Sequence, residues 1–488
     1  MCKNFTGKIL IAVHYARIAE RELSERDKQK MFSYTYKVRI LGTFTDTGTA
    51  ISFTTAVRKL PIVSYIARHL NKREIESILN RENENGVAIG HLCVGETVFK
   101  DKGQILFKIG KLRNKRTMIF AQSGFGKTNL VKVLLYHMTS DSTYGKLIFD
   151  LNGEYFLRGT STYGLGDIDE DSIKKNVVVY SDKALPSEYQ NSGRFIFGGK
   201  VLLNMHKHLT VGDILSFGTG FSEVMRAFLL YLDEEGVGNF IQNIDDYVEN
   251  PIKLNQDFSD FFGPLKKDKE DVSARKTVAA IRKRVRHLID EGKGLHSGTS
   301  KLAENVFDYL RQGKTVIIDL SLKDNMDASI ISTILVRKLF DNNKAQFTSG
   351  NSKEVINTVI FVEEAQNVLS EEFVKSNANP FVRVAKEGRK FGLGLVAITQ
   401  RPSAISEEIR TQAENFFAFH MGNSDDIKAL IKSNINYDGV IANFLQRETI
   451  PGNLYMVSSD QAFALPVRVN EFEPLIENKV YPQSKLKR

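Results

Sequence analysis

The stretch from Thr117 to Leu135 constrains this chain more than any other. It reads as an apolar strand, then the loop AQSGFGKT at 121–128, then an apolar helix of more than ten residues. Glycines at 124 and 126 let a loop of backbone N–H groups approach a phosphate chain closely. The helix that follows points its positive end at the same spot. Lys127 is placed to neutralise β and γ phosphates, and the Thr128 hydroxyl to ligate Mg²⁺. The loop residues Ser123, Gly124, Phe125, Gly126, Lys127, Thr128 and Asn129 are therefore the candidate ATP-binding set. Such a loop usually opens on glycine. Here the position is Ala121, which fits only if its φ is negative.

From Arg116 onward, short apolar runs alternate with helical stretches, the rhythm of a parallel α/β sheet. The expected strands cover 117–121, 146–150, 176–180, 314–320, 357–363, 393–399 and 415–421, with 454–459 and 464–469 finishing the sheet. Between 204 and 298 no strand is expected. Residues 221–232 and 276–289 have helical periodicity and 250–270 form a polar connector, so this region reads as a helical insertion. Ahead of the core, residues 7–15, 34–44 and 50–55 read as strands, 60–79 as a helix and 87–109 as strands again, a pattern that fits a small β-barrel. The expected division is a barrel over 1–100, an α/β core over 101–203 and 299–475, the insertion over 204–298, and a tail over 476–488.

Residues 358–366 form an apolar strand ending in Glu363 and Glu364. Hydrolysis of a phosphoanhydride needs one acid beside Mg²⁺ and one that orients or deprotonates the attacking water. Glu363 is the candidate for the metal and Glu364 for the water. Asp150 and Glu154, at the end of another strand, face the same ligand crevice of an open parallel sheet and are candidates for the metal or water. An equal reading is that they shape a turn. Gln400 ends a further strand, where glutamine is also common in turns. Arg389 is a planar cation suited to charge on a transferred phosphoryl group, and Arg401 is a second candidate.

These pieces together resemble the HerA branch of the FtsK–HerA ATPases. The resemblance rests on the loop at 121–128, DLNGEY at 150–155, IDLS at 318–321, FVEEAQ at 361–366, and VAKEGRKFGLGL at 384–395 followed by TQRPS at 399–403. It implies a RecA-like P-loop NTPase core with a parallel-rich sheet, a small N-terminal β-barrel and a helical insertion. It also implies a hexameric ring that moves double-stranded DNA, with Glu364 as catalytic acid and Arg389 acting between subunits. The role of Gln400 as sensor of the γ-phosphate is mostly what this resemblance implies. Partners of such motors include a nuclease or, in anti-phage defence, sirtuin-like or other effector proteins. The alternative is an assembly platform whose nucleotide state switches an effector enzyme.

The net charge of +9 belongs to residues 1–116, while the rest of the chain is close to neutral. An anionic partner would be drawn to that end. On the helix at 274–289, Val278, Ile281, Val285 and Leu288 share one face. Arg275, Arg282, Lys283 and Arg286 lie off it, as a solvated or subunit-facing basic side or as a contact for DNA phosphates. No apolar run approaches the roughly 20 residues that cross a bilayer. With two cysteines, Cys2 and Cys93, a disulfide framework is excluded and a cytoplasmic home is expected.

Overall fold

The computed structural model describes residues 42–46, 51–54, 70–79, 86–101, 103–157, 162–185, 189, 193–217, 221–234, 272–291, 294–376, 379–458 and 463–481. The strands expected at 7–15, most of that at 34–44, the first part of the helix at 60–79, the connector at 250–270 and the end of the tail lie outside them.

Fifteen strands are described: β1 (Thr43–Asp46), β2 (Ile51–Thr54), β3 (Val87–Val94), β4 (Thr97–Val98), β5 (Gln104–Phe107), β6 (Arg116–Phe120), β7 (Gly145–Asp150), β8 (Val177–Ser181), β9 (Ile196–Gly199), β10 (Thr315–Asp319), β11 (Thr358–Val362), β12 (Leu393–Thr399), β13 (Asn415–Ala418), β14 (Asn453–Val457) and β15 (Leu465–Val469). All but β1 and β2 join one sheet in the order β4-β3-β15-β14-β13-β6-β12-β11-β7-β10-β8-β9, with β5 on β3. From β13 to β9 every neighbouring pair is parallel. From β13 through β14 and β15 to β3 the pairing is antiparallel. The strands over 87–107 thus extend the sheet of the core by hydrogen bonds, while among the described residues β1 and β2 pair with each other alone.

The central strands are apolar along their whole length because both faces of the sheet are covered. Alternate side chains feed two cores. Met118, Phe120, Leu147, Phe149, Ile360 and Val362 enter one. Ile119, Ala121, Ile148, Val359 and Phe361 enter the other. The helix Lys127–Thr139 packs in the second core, and helices Leu302–Arg311, Asn325–Thr348 and Pro380–Glu387 in the first.

The described parts of 204–298 hold the helices Met205–His208, Val211–Phe217, Glu223–Glu234 and Val272–Ile289 and no strand, only an isolated bridge from His296 to Leu203. Val278, Ile281, Val285 and Leu288 join the first core, as their spacing predicts. Arg282 and Arg286 pair with Asp290 near the end of the same helix, at 3.2 and 2.7 Å. Lys283 is exposed. The surroundings of the Arg275 side chain lie outside the described residues. A two-pronged ion pair ties the insertion to the core, Arg337 donating to Asp213 at 3.0 and 2.9 Å and to the His208 carbonyl at 2.6 Å.

Strand bounds differ from expectation by a residue or two, except that β13 ends at Ala418 rather than 421. The edge strand β9, FGG-containing and half exposed, carries none of the apolar alternation by which the others are found. Among the described residues no helix is long and apolar enough to cross a membrane, and Cys93 is a buried free thiol.

Candidate functional site

In an open parallel sheet, the C-terminal strand ends form one rim. Here that rim gathers the loop after β6, the turn after β7, the acids after β11 and the glutamine after β12. The loop and the acids are two strand spacings apart, roughly 10 Å, because β12 lies between β6 and β11. The rim is pinned by Ala121 N–H donating to the Thr399 carbonyl at 3.3 Å and Ala365 N–H to the Ile398 carbonyl at 2.9 Å.

Gly124 and Gly126 have φ of +82° and +103°, which a Cβ would disfavour by roughly 1–2 kcal/mol. Gly126 caps the helix Lys127–Thr139. Ala121 is not among the described residues with positive φ, so alanine fits the loop entrance. The backbone N–H groups of Ser123, Gly124 and Gly126 have no partner among the described residues, and the first turn of a helix presents unpaired donors of its own. Lys127 folds back to donate to the Ala121 carbonyl at 3.0 Å. Burial pulls its pKa down, opposed by Glu364, Glu363 and Glu154. Phe125 stacks near His420, with ring centroids 4.4 Å apart. Asn129 turns its amide elsewhere, donating to the Asn470 carbonyl at 2.9 Å and accepting from Phe472 N–H at 2.8 Å. Its own N–H is what remains for a ligand.

The Thr128 hydroxyl donates to Glu154 at 2.8 Å, so the carboxylate nearest the threonine is Glu154. Asp150 is buried and accepts the N–H groups of Asn152, Gly153, Glu154 and Tyr155 at 2.7 to 3.3 Å. Its carboxylate frames the turn. Glu363 accepts from the Tyr155 hydroxyl at 2.7 Å and Leu151 N–H at 3.2 Å. Burial, then the charge of Asp150, raises the pKa of Glu363; burial, with the charge of Asp319, raises that of Asp150 against the backbone N–H groups it accepts.

Glu364 has φ of +44°. A left-handed backbone at a residue bearing a Cβ costs about 1–3 kcal/mol and clusters at functional sites. Its carboxylate accepts from Gln400 Nε2 at 3.1 Å and Gln366 Nε2 at 2.7 Å. Gln400 therefore lies beside Glu364. Arg401 is exposed just beyond. Arg389 is not brought to this rim. It is exposed, in the turn Gly388–Phe391 that precedes β12, whereas Gln400 follows β12. Seven residues of strand put roughly 23 Å between those ends.

Three participants escaped the sequence reading. Tyr155, Gln366 and Thr399 fall at the ends of the segments DLNGEY, FVEEAQ and TQRPS, but nothing in those segments says which side chain each one touches. Only tertiary placement reveals them.

The chain matches the family described as "Helicase HerA, central domain" over residues 92–339, just over half of its length. It also matches that described as "Zonular occludens toxin (Zot)" over 273–427. It is 23% identical over 414 residues to the DNA double-strand break repair helicase HerA of Saccharolobus solfataricus, covering 85% of this chain and 74% of that protein. The protein of the same name from Sulfurisphaera tokodaii is 23% identical over 416 residues, with the same coverage. Among solved structures, VirB4 of Thermoanaerobacter pseudethanolicus aligns with a TM-score of 0.43 at 12% identity, over 79% of this chain and 96% of that one. The bacterial conjugative coupling protein TrwBdeltaN70 aligns with a TM-score of 0.45 at 13% identity, over 80% and 91%.

Proposed function

Because the chain belongs to the HerA helicase family through its central domain, we propose that it is an ATP-driven DNA translocase or helicase of that type. The observation that carries the reading is the rim itself: a donor-rich loop ending in Lys127 and Thr128, Thr128 joined to Glu154 at 2.8 Å, and Glu364 held beside Gln400.

The roles follow from what each group can do. The free N–H groups of the loop and the Lys127 ammonium take the triphosphate in place of the Ala121 carbonyl. Thr128 and Glu154 supply oxygens suited to Mg²⁺, which when bound neutralises β and γ oxygens. Asp150 and Glu363 support that set by fixing the turn that carries Glu154. Glu364 orients a water for in-line attack on the γ-phosphorus and takes its proton, as the bond from phosphorus to the ADP oxygen breaks. Gln400, on the same carboxylate, registers the presence of the γ-phosphate. Arg389 lies too far from its own rim to touch the same nucleotide, which supports its service to the site of a neighbouring copy. A ring, hexameric as the resemblance implies, on double-stranded DNA follows, with a nuclease or other effector as partner.

ATP hydrolysis by the sized oligomer, with and without duplex DNA, tests this. Turnover should rise with DNA and lose that rise as salt increases. Glu364→Gln should lower turnover by about 10²- to 10⁴-fold with ATP still bound. Indifference to DNA would remove the translocase reading. Normal turnover of Glu364→Gln would remove the site assignment.

A further inference from the structure

Neither oxygen of Glu364 is left to find its own direction. Gln400 Nε2 donates to Oε1 and Gln366 Nε2 to Oε2. An amide side chain can ordinarily be turned end for end, which would place its carbonyl against the carboxylate. Here the surroundings forbid that at Gln366. Its Oε1 accepts from the Thr399 hydroxyl at 2.5 Å, and the same hydroxyl oxygen accepts the N–H of Arg401 at 2.9 Å. The hydroxyl donates to the Gln366 carbonyl and the NH₂ donates to Glu364; turned end for end, the amide would set its carbonyl oxygen against the accepting carboxylate oxygens. The amide carbonyl is thereby fixed on Thr399 and the NH₂ on Glu364. Thr399 is itself buried at the end of β12, paired with Phe120 of β6, so the relay starts from a rigid element.

We infer that Gln366 is a positioning residue for Glu364, aimed by Thr399, and that this relay sets the direction in which Glu364 presents its free lone pairs to water. The terminal torsion of a glutamate is broad and close to two-fold, so a carboxylate without such a clamp samples many headings. A carboxylate oxygen that accepts one amide proton retains capacity for a second donor, so the clamp steers the group without occupying it. The relay also fastens the heading of Glu364 to the backbone at 399–401, the segment that carries Gln400 and the exposed Arg401. The inference rests on the reading of Glu364 as the group that orients water.

The test is steady-state ATP hydrolysis and ATP binding by the full chain as its oligomer, for wild type, Gln366→Leu, Thr399→Val, Thr399→Ser and the double variant Gln366→Leu/Thr399→Val. Gln366→Leu should lower kcat by about 100-fold, the scale of a misdirected catalytic group, with KM and ATP binding changed by less than about threefold. Thr399→Val, which preserves the buried shape, should lower kcat in the same way, and it reads the same relay if Gln366→Leu does not fold. Thr399→Ser should retain turnover, since it keeps the hydroxyl. The double variant should be no slower than Gln366→Leu, because both changes break one relay. Unchanged kcat in Gln366→Leu or Thr399→Val, a loss carried by KM, or multiplied losses in the double variant would overturn the inference. Glu364→Gln is measured alongside. If it turns over normally, the reading of Glu364 has failed; if it is inactive while Gln366→Leu is fully active, only the positioning role has failed.

Discussion

The loop at 121–126 and the turn at 151–155 lie on the same rim, the helix that follows the loop reaching the turn through the bond from Thr128 to Glu154, and both are runs of backbone N–H donors. They differ in where those donors go. In the turn, the N–H groups of Leu151, Asn152, Gly153, Glu154 and Tyr155 all reach a carboxylate of the chain itself, Glu363 for the first and Asp150 for the others. In the loop, Ser123, Gly124 and Gly126 have no such partner among the described residues. A nest of donors that carries its own anion is a structural element; one that lacks an anion is a receptor for one. The acidic residues near a phosphate loop are therefore of two kinds, and proximity alone does not separate them.

Substitutions on the two sides should part accordingly. The largest effect is expected from Lys127→Ala, which should weaken ATP binding by about 4 kcal/mol and leave the stability of the ligand-free protein within about 0.5 kcal/mol. Calorimetric titration and denaturant unfolding of the same preparation check both halves; loss of stability without loss of affinity would erase the contrast. Next comes Asp150→Asn, which puts an NH₂ against donors and should cost about 3 kcal/mol of stability, read from the shift in unfolding midpoint. A fall in ATP affinity alone, with stability intact, would make the turn a receptor after all. Tyr155→Phe removes one bond to Glu363 and should cost about 2 kcal/mol in the same measurement. The smallest effect is that of Gly124→Ala. No atom lies within 4 Å of the added Cβ, so only the positive φ resists it, at about 1 kcal/mol.

The same contrast marks how far the sequence could be read. The loop at 121–128 is legible because its function demands a fixed local pattern, and the continuous apolar runs of the central strands are legible because both faces are buried. Edge strand β9 was not, since half of it faces outward and its glycines carry no periodicity. Asp150 could be read equally as ligand or turn former, because the choice depends on which backbone N–H groups come round to meet it. The partnership of Glu363 with Tyr155, of Glu364 with Gln400 and of Gln366 with Thr399 joins segments that belong to different strands. No spacing along one segment encodes such a pair. Arg389 was found by its motif, but its distance from its own rim became evident only once β12 was seen to run between it and Gln400.

Strand β12 has a mechanical corollary. Its residues 393–397 pair with β11 on one flank and 395–399 with β6 on the other, so it cannot slide without breaking both ladders. In the proposed ring, a push on Arg389 from the triphosphate of an adjoining copy would travel along this stiff bar and arrive at Gln400 and Thr399 as displacement, not as local flexing. Sites around such an assembly would then fire out of phase, each timed by its neighbour, with no hinge required inside any one protomer.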